Sequence, residues 1–161
     1  MAYEIYLKQD CPRIRVSEIV LKKIAVKILK DLGFKKAVLS VVLVGDSEMR
    51  KLNRRYLRHA WSTDVLAFSE RRVPGHLKET TVPAKVLARK DIDFLGDIAL
   101  CLPTIQTQAE EYGHTFEEEL HYCLCHGILH LIGYEDKNRT AFKKMHRKQS
   151  QILTRVAKKN S

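Results

Sequence analysis

Residues 37–44 (AVLSVVLV) constrain the fold more than any other stretch of the chain. The run is uncharged and rich in β-branched residues, so it reads as a buried strand. Residues 3–7 alternate apolar and polar and suit a second strand. Between them Ser17 is a helix N-cap, with Ile19, Val20, Ile24, Ile28 and Leu32 following at helical spacing and Gly33 ending the helix. Gly45, Asp46 and Ser47 make a turn and cap before a helix with Met49, Leu52 and Tyr56 on its inner side. Residues 65–68 form a short strand. Residues 69–93 read as a long loop with room for a short hairpin or helix, and residues 98–102 as another strand.

Three helices complete the pattern. Pro103 and Thr104 open a short one that reaches Tyr112. Thr115 caps the next, which runs to about Leu131, with Glu118 at the position of a capping box; Gly133 breaks it. The last runs from Thr140 to about Lys158, with Phe142, Met145, Ile152, Leu153 and Val156 on its apolar face. The order βαβαββ followed by helices predicts an α+β fold, a single small mixed β-sheet packed with helices. A chain of 161 residues without an internal repeat is expected to form one domain over 1–161.

Charge narrows the partners. The formal net charge is +10, and it is concentrated. Residues 137–161 hold nine Lys or Arg and no acid, and Arg50, Lys51, Arg54, Arg55 and Arg58 form a second cluster, with Arg50, Arg54 and Arg58 at i, i+4 spacing. Such a distribution points to a polyanion, nucleic acid first and an acidic membrane second, against the plainer reading of solvated basic faces. No apolar run approaches a membrane span, and MAYEIYLKQD lacks the features of a signal peptide, so a cytoplasmic location is expected. Cys11, Cys101, Cys123 and Cys125 are too few and too scattered for a disulfide scaffold and are read as reduced core residues.

The chemistry centres on HGILH. His126 and His130, four apart on a helix, put both rings on one face, where two imidazole nitrogens can converge on one ion. A His pair alone is more often structural than metal-binding. Here Gly133 lets the chain turn back over the same face, Asp136 arrives six residues after His130, and the segment between Leu124 and Leu131 is otherwise apolar. Three protein ligands leave a position open, as catalytic zinc requires. The HExxH zinc proteases carry a general-base Glu directly after the first His; here that position is Gly127. Glu119, seven residues before His126, is a candidate partner for a His ring, or an ordinary first-turn acid favoured by the helix dipole.

HGILHLIGYED resembles the signature HGxLHLxGYDH of the YbeY family of metal-dependent endoribonucleases and ribosomal RNA maturation factors. Leu52-Asn53 with Tyr56, followed by Thr63-Asp64-Val65-Leu66-Ala67-Phe68, resembles that family's LNxxYR…PTDVLSF, and Leu95-Gly96-Asp97-Ile98 its LGDI strand. The motifs occur in order, and with compatible elements on both sides the resemblance covers nearly the whole chain. It implies a small α+β fold with one Zn2+ per chain, or another divalent metal, on a zincin-like helix. It also implies cleavage of single-stranded RNA in maturation of the 3′ end of small-subunit ribosomal RNA and in ribosome quality control, with ribosomal RNA and the small subunit as partners. Two positions depart from the pattern: the family's third His falls at Asp136, and its Arg falls at Leu57, with Arg58 beside it.

The expected metal ligands are therefore His126, His130 and Asp136, with Arg58 as the catalytic group that offsets transition-state charge. Arg54, Arg55, Lys144 and Arg147 are candidate RNA contacts, and Tyr134, Tyr56 or Trp61 could stack on bases. Two alternatives stand beside this reading: a non-catalytic ribosome-assembly factor with a structural metal, and a metal-dependent hydrolase of another substrate, peptides included.

Overall fold

In the computed structural model, which describes residues 2–57, 63–69 and 80–158, the apolar run forms most of strand β2 (Lys36–Val44), with every side chain from Ala37 onward buried. Strand β1 (Ala2–Asp10) pairs with it in parallel, and so does β4 (Asp93–Cys101); β3 (Val65–Ser69) pairs antiparallel with β4. The sheet is thus small and mixed, in the order β1-β2-β4-β3. The pleat sends Leu39, Val41 and Leu43 to one face and Val42 and Val44 to the other. The first set meets helices α1 (Glu18–Asp31) and α5 (Phe116–Leu131) in the main core. The second meets Met49 and Leu52 of helix α2 (Asp46–Leu52), together with Leu66 and Phe68. Full burial of a Leu or Ile side chain contributes about 1.5–3 kcal/mol, so Ile28, Ile98, Leu124 and Ile128, all at 0 % exposure, hold the two layers together.

Local signals act as expected in most places. Ser17 caps α1 by accepting from Val20 N–H, and Thr115 and Glu118 form a reciprocal capping box on α5. The apolar face of α1 is displaced from the expected one. Ile19 and Val20 are 71 % and 48 % exposed, and the buried stripe is Leu21, Ile24, Ala25, Ile28 and Leu29; Ile19 lies roughly opposite Leu21 on a 3.6-residue helix. The helix α2 does not continue as one α-helix but winds into a π turn over Asn53–Leu57. The long loop contains a short helix, α3 (Ala84–Leu87); residues 70–79 lie outside the described set.

Strand β4 starts five residues before the expected Ile98 because its pairing with β2 runs from Ala37↔Asp93 to Val44↔Cys101. Gly96 sits within it at φ +139, where a Cβ would lie 2.3 Å from the Phe68 carbonyl oxygen. Only glycine lets β3 approach β4 there. Pro103 occupies the first turn of α4 (Leu102–Tyr112). Helix α6 (Arg139–Lys158) buries Met145, Gln149, Ile152 and Val156 and is tied to α1 by Arg155 on Asp31 at 2.6 Å. Phe142, expected on its apolar face, is 51 % exposed. All four cysteines are free and buried, and burial pushes the Cys125 thiol up to about 12. Among the described residues no helix is long and apolar enough to cross a membrane.

Candidate metal centre

Helix α5 lies on the sheet through Leu120, Leu124 and Ile128. Gly127 belongs to that packed side. A Cβ there would meet Ile98 side-chain atoms at 3.1 Å and Val65 Cγ2 at 3.2 Å. The position after the first His therefore faces β3 and β4, with no room for the carboxylate of a zinc protease.

His126 and His130 stand on the neighbouring face of α5, with side chains 22 % and 28 % exposed. The helix ends in a Schellman motif: Gly133 N–H donates to the His130 carbonyl and Tyr134 N–H to that of Leu129, with Gly133 at φ +107. This reversal has two consequences. It brings Asp136 Oδ2 to 3.6 Å from His126 Nε2 and 3.7 Å from His130 Nε2. It also sets the Tyr134 carbonyl 3.0 Å from His130 Nδ1.

A carbonyl only accepts, so His130 Nδ1 carries a proton, and in the neutral ring its Nε2 presents a lone pair. The same logic fixes His126 through Gln149, which is 1 % exposed. Gln149 Nε2 donates to the Tyr122 carbonyl at 2.8 Å, which orients the amide; its Oε1 then faces His126 Nδ1 at 3.2 Å and accepts from it. In the neutral ring His126 Nε2 likewise presents its lone pair. The two Nε2 atoms lie 3.0 Å apart with the rings nearly perpendicular at 79°. With both rings neutral, two lone pairs and a carboxylate oxygen thus converge on one point, an arrangement that repels itself unless a metal ion or a proton sits there. Ligand atoms about 2.0–2.2 Å from a tetrahedral zinc are separated by about 3.3–3.5 Å. The separations of 3.0, 3.6 and 3.7 Å bracket that figure, so the donor set fits a divalent metal. Among the described residues His126, His130 and Asp136 are the group that meets the spatial requirement for an ion.

Gln149 and Tyr122, whose ring stacks on His126 at 6.3 Å, were not anticipated. A signal for Gln149 existed: it is the polar member of the stripe Met145, Gln149, Ile152, Val156. Glu119 does not reach a ligand ring. It lies about 10 Å down the helix from His126, where its Oε2 meets His114 Nδ1 at 3.1 Å. Of the candidate RNA contacts, Arg54 and Arg55 are exposed on the π turn, and Lys144 and Arg147 on α6. Lys144 Nζ lies 5.9 Å from the centre of the Tyr134 ring. Tyr56 packs on Phe68 at 5.2 Å. Arg58 and Trp61 lie outside the described residues. Beside His130 a cleft of about 580 Å³ is lined by Phe34, Ser69, Phe94, Leu95 and Glu135.

Comparison with known proteins adds an independent finding. The family model described as "Endoribonuclease YbeY" matches residues 7–157. Similar proteins named "Endoribonuclease YbeY" include one from Halalkalibacterium halodurans, 40 % identical over 116 residues that make up 72 % of this chain and 70 % of that protein. Another, from Staphylococcus carnosus, is 37 % identical over 117 residues, 73 % of this chain and 71 % of its own. One from Synechococcus is 33 % identical over 129 residues, 80 % and 75 % of the two chains. The solution structure of a Thermotoga maritima protein is similar at a TM-score of 0.59 and 27 % identity, covering 96 % of this chain and 88 % of that one.

Proposed function

Because this chain belongs to the endoribonuclease YbeY family, we propose that it is a zinc-dependent, single-strand-specific endoribonuclease acting in maturation of the 3′ end of small-subunit ribosomal RNA and in ribosome quality control. His126, His130 and Asp136 would hold the ion, on a helix that plays the part of a zincin metal helix. The observation that carries the reading is the convergence of two Nε2 lone pairs, each fixed by an acceptor on its own Nδ1 proton, with Asp136 Oδ2. When bound, zinc supplies Lewis-acid stabilisation of charge on the phosphoryl group and a lowered pKa for the attacking oxygen.

The protein's own residues do the rest. The two acceptors on the Nδ1 protons keep both rings pointed at one position. Asp136 makes the ligand set anionic, which widens the acceptable metals beyond zinc to harder divalent ions. The basic residues Arg54, Arg55, Lys144 and Arg147 attract the phosphate backbone of ribosomal RNA on the small subunit, and Arg58 is assigned the charge of the transition state. Partial exposure of all three ligands suits a centre that admits substrate better than a closed structural site. The packed position of Gly127 disfavours the peptidase alternative.

The test pairs metal content with cleavage of single-stranded RNA for the parent and a His126→Ala, His130→Ala double variant. The parent is expected to carry about one metal per chain and to cleave. The double variant is expected to lose both while keeping its circular dichroism spectrum. Equal cleavage by the two proteins would overturn the metal mechanism, and a chelator that unfolds the parent would favour the structural-metal assembly factor.

A further inference from the structure

Helix α6 is built for two surfaces. Its buried stripe packs on α1 and α5, and the remainder carries seven Lys or Arg, one His and no acid. Where the buried stripe runs out near the start of the helix, beside that basic surface, stands an aromatic ring that the core does not use. Phe142 is 51 % exposed and lies flat on the His146 ring, with centroids 5.8 Å apart and planes inclined by 10°. An exposed phenyl ring loses free energy to water unless something covers it, and the stacked imidazole covers one face only.

The location is specific. Phe142 and Gln149 are seven residues apart, hence on one stripe of α6, about 10 Å along the axis. Gln149 touches His126. The start of the same helix follows Asp136 by three residues, with Asn138 capping it through Ala141 N–H at 2.8 Å. The ring pair therefore lies in the first turns of the helix that leaves Asp136, about 10 Å along the axis from the Gln149 that holds His126. Tyr112 provides the contrast. It is 63 % exposed and near His114 at 6.3 Å, but it follows Glu110 and Glu111, which repel a polyanion.

We propose that Phe142, backed by His146, is a stacking platform for an unpaired base of single-stranded RNA flanking the cleaved phosphate, with Arg139, Lys143 and Arg147 holding the adjoining backbone. The proposal rests on the endoribonuclease reading and names how the same site selects single strands. Every base offers a π-face, whereas a duplex keeps its bases stacked on one another. Positive charge alone attracts both forms. The platform supplies what charge cannot, a preference for the unpaired strand.

Fluorescence anisotropy on the full, metal-loaded chain tests it, with a labelled single-stranded oligoribonucleotide whose integrity is checked on a gel, beside the matching duplex. Phe142→Ala is expected to weaken single-strand binding roughly 5- to 100-fold, the range for losing one base–aromatic stack, and to leave duplex binding unchanged. Phe142→Trp should bind as the parent does. The salt dependence should be the same for Phe142→Ala and parent, and shallower for Arg147→Ala, because only the latter removes a phosphate contact. Parent-like single-strand affinity in Phe142→Ala would overturn the platform while leaving the RNA reading in place. A parent protein that binds neither RNA at low salt would overturn both.

Discussion

Two histidine–acid clusters lie along α5, one at each end, and they are built on opposite principles. At the N-terminal end His114 Nδ1 meets Glu119 Oε2 at 3.1 Å. The Cys123 thiol lies between Glu119 Oε1 at 4.0 Å and Asp64 Oδ2 at 3.7 Å, and Asp64 Oδ1 accepts from Val65 N–H at 2.8 Å. Burial and the two carboxylates push the Cys123 thiol far above its ordinary value, so it keeps its proton and can donate it. The carboxylates there face donors, with the single thiol proton shared between Glu119 and Asp64. At the C-terminal end the donors point outward, to Gln149 and the Tyr134 carbonyl, and three acceptors point inward at one another. Residue types are nearly the same in the two clusters. What separates a structural polar cluster from a candidate metal centre is the direction of the lone pairs.

The largest expected effect comes from removing the inward-pointing charge. Asp136→Ala should lower metal affinity by more than about 100-fold, beyond the range for a group that merely supports a ligand, and Asp136→His should restore it. Glu119→Gln, at the other end, should leave metal content unchanged and lower the melting temperature instead, because it weakens a buried hydrogen-bonded carboxylate. Metal titration with a competing chelator and a thermal melt read the two properties separately. Loss of metal in Glu119→Gln would show that the clusters are coupled and that the contrast between them is false.

A smaller effect is expected from Gln149→Met, which keeps volume on α6 but removes the acceptor that fixes the His126 tautomer. Metal affinity should fall about 10- to 100-fold, as for other positioning groups. The fall follows because His126 is then free to carry its proton on either nitrogen, and the tautomer with the proton on Nε2 cannot bind the ion. A purely structural role would lower stability through the lost Gln149–Tyr122 hydrogen bond and leave affinity at pH 7 unchanged.

These variants also mark the boundary of what the sequence displays. The three candidate ligands span only residues 126–136, and the signals that bring them together are local: i, i+4 spacing, a glycine at C′, a carboxylate just beyond. The buried strand and the capping box are legible for the same reason. The environments of Gln149 and Phe142 are not legible in the sequence, because they depend on how α6 docks against α5, which no local pattern encodes. Phe142 satisfies an apolar periodicity and yet lies beyond the edge of the covered stripe. Asp64 reaches Cys123 across 59 positions of sequence. The family motifs point to Gly96 and Asp97 as a strand, and the sequence has no means of showing that the glycine is required by the Phe68 carbonyl on the neighbouring strand.

The smallest effect tests the wall between the two clusters. Gly127→Ala adds one methyl where α5 lies on β3 and β4. Helix propensity favours alanine by about 1 kcal/mol. Against this, the Cβ would meet Ile98 Cδ1 and Cγ2 at 3.1 Å and Val65 Cγ2 at 3.2 Å. Ile98 is fully buried, and both neighbours are β-branched with stiff χ1 angles, so relief requires α5 to lift by a few tenths of an ångström. Overpacking of this kind costs about 1–3 kcal/mol. The two contributions leave a net loss of about 1 kcal/mol, a fall of roughly 2–4 °C in melting temperature for a chain of this size. Because residue 127 adjoins His126, the lift should also loosen metal binding while the capping box and the His114–Glu119 pair hold. A raised melting temperature would mean that β3 yields to the helix, and that glycine is not required by packing at the position where zinc proteases place their base.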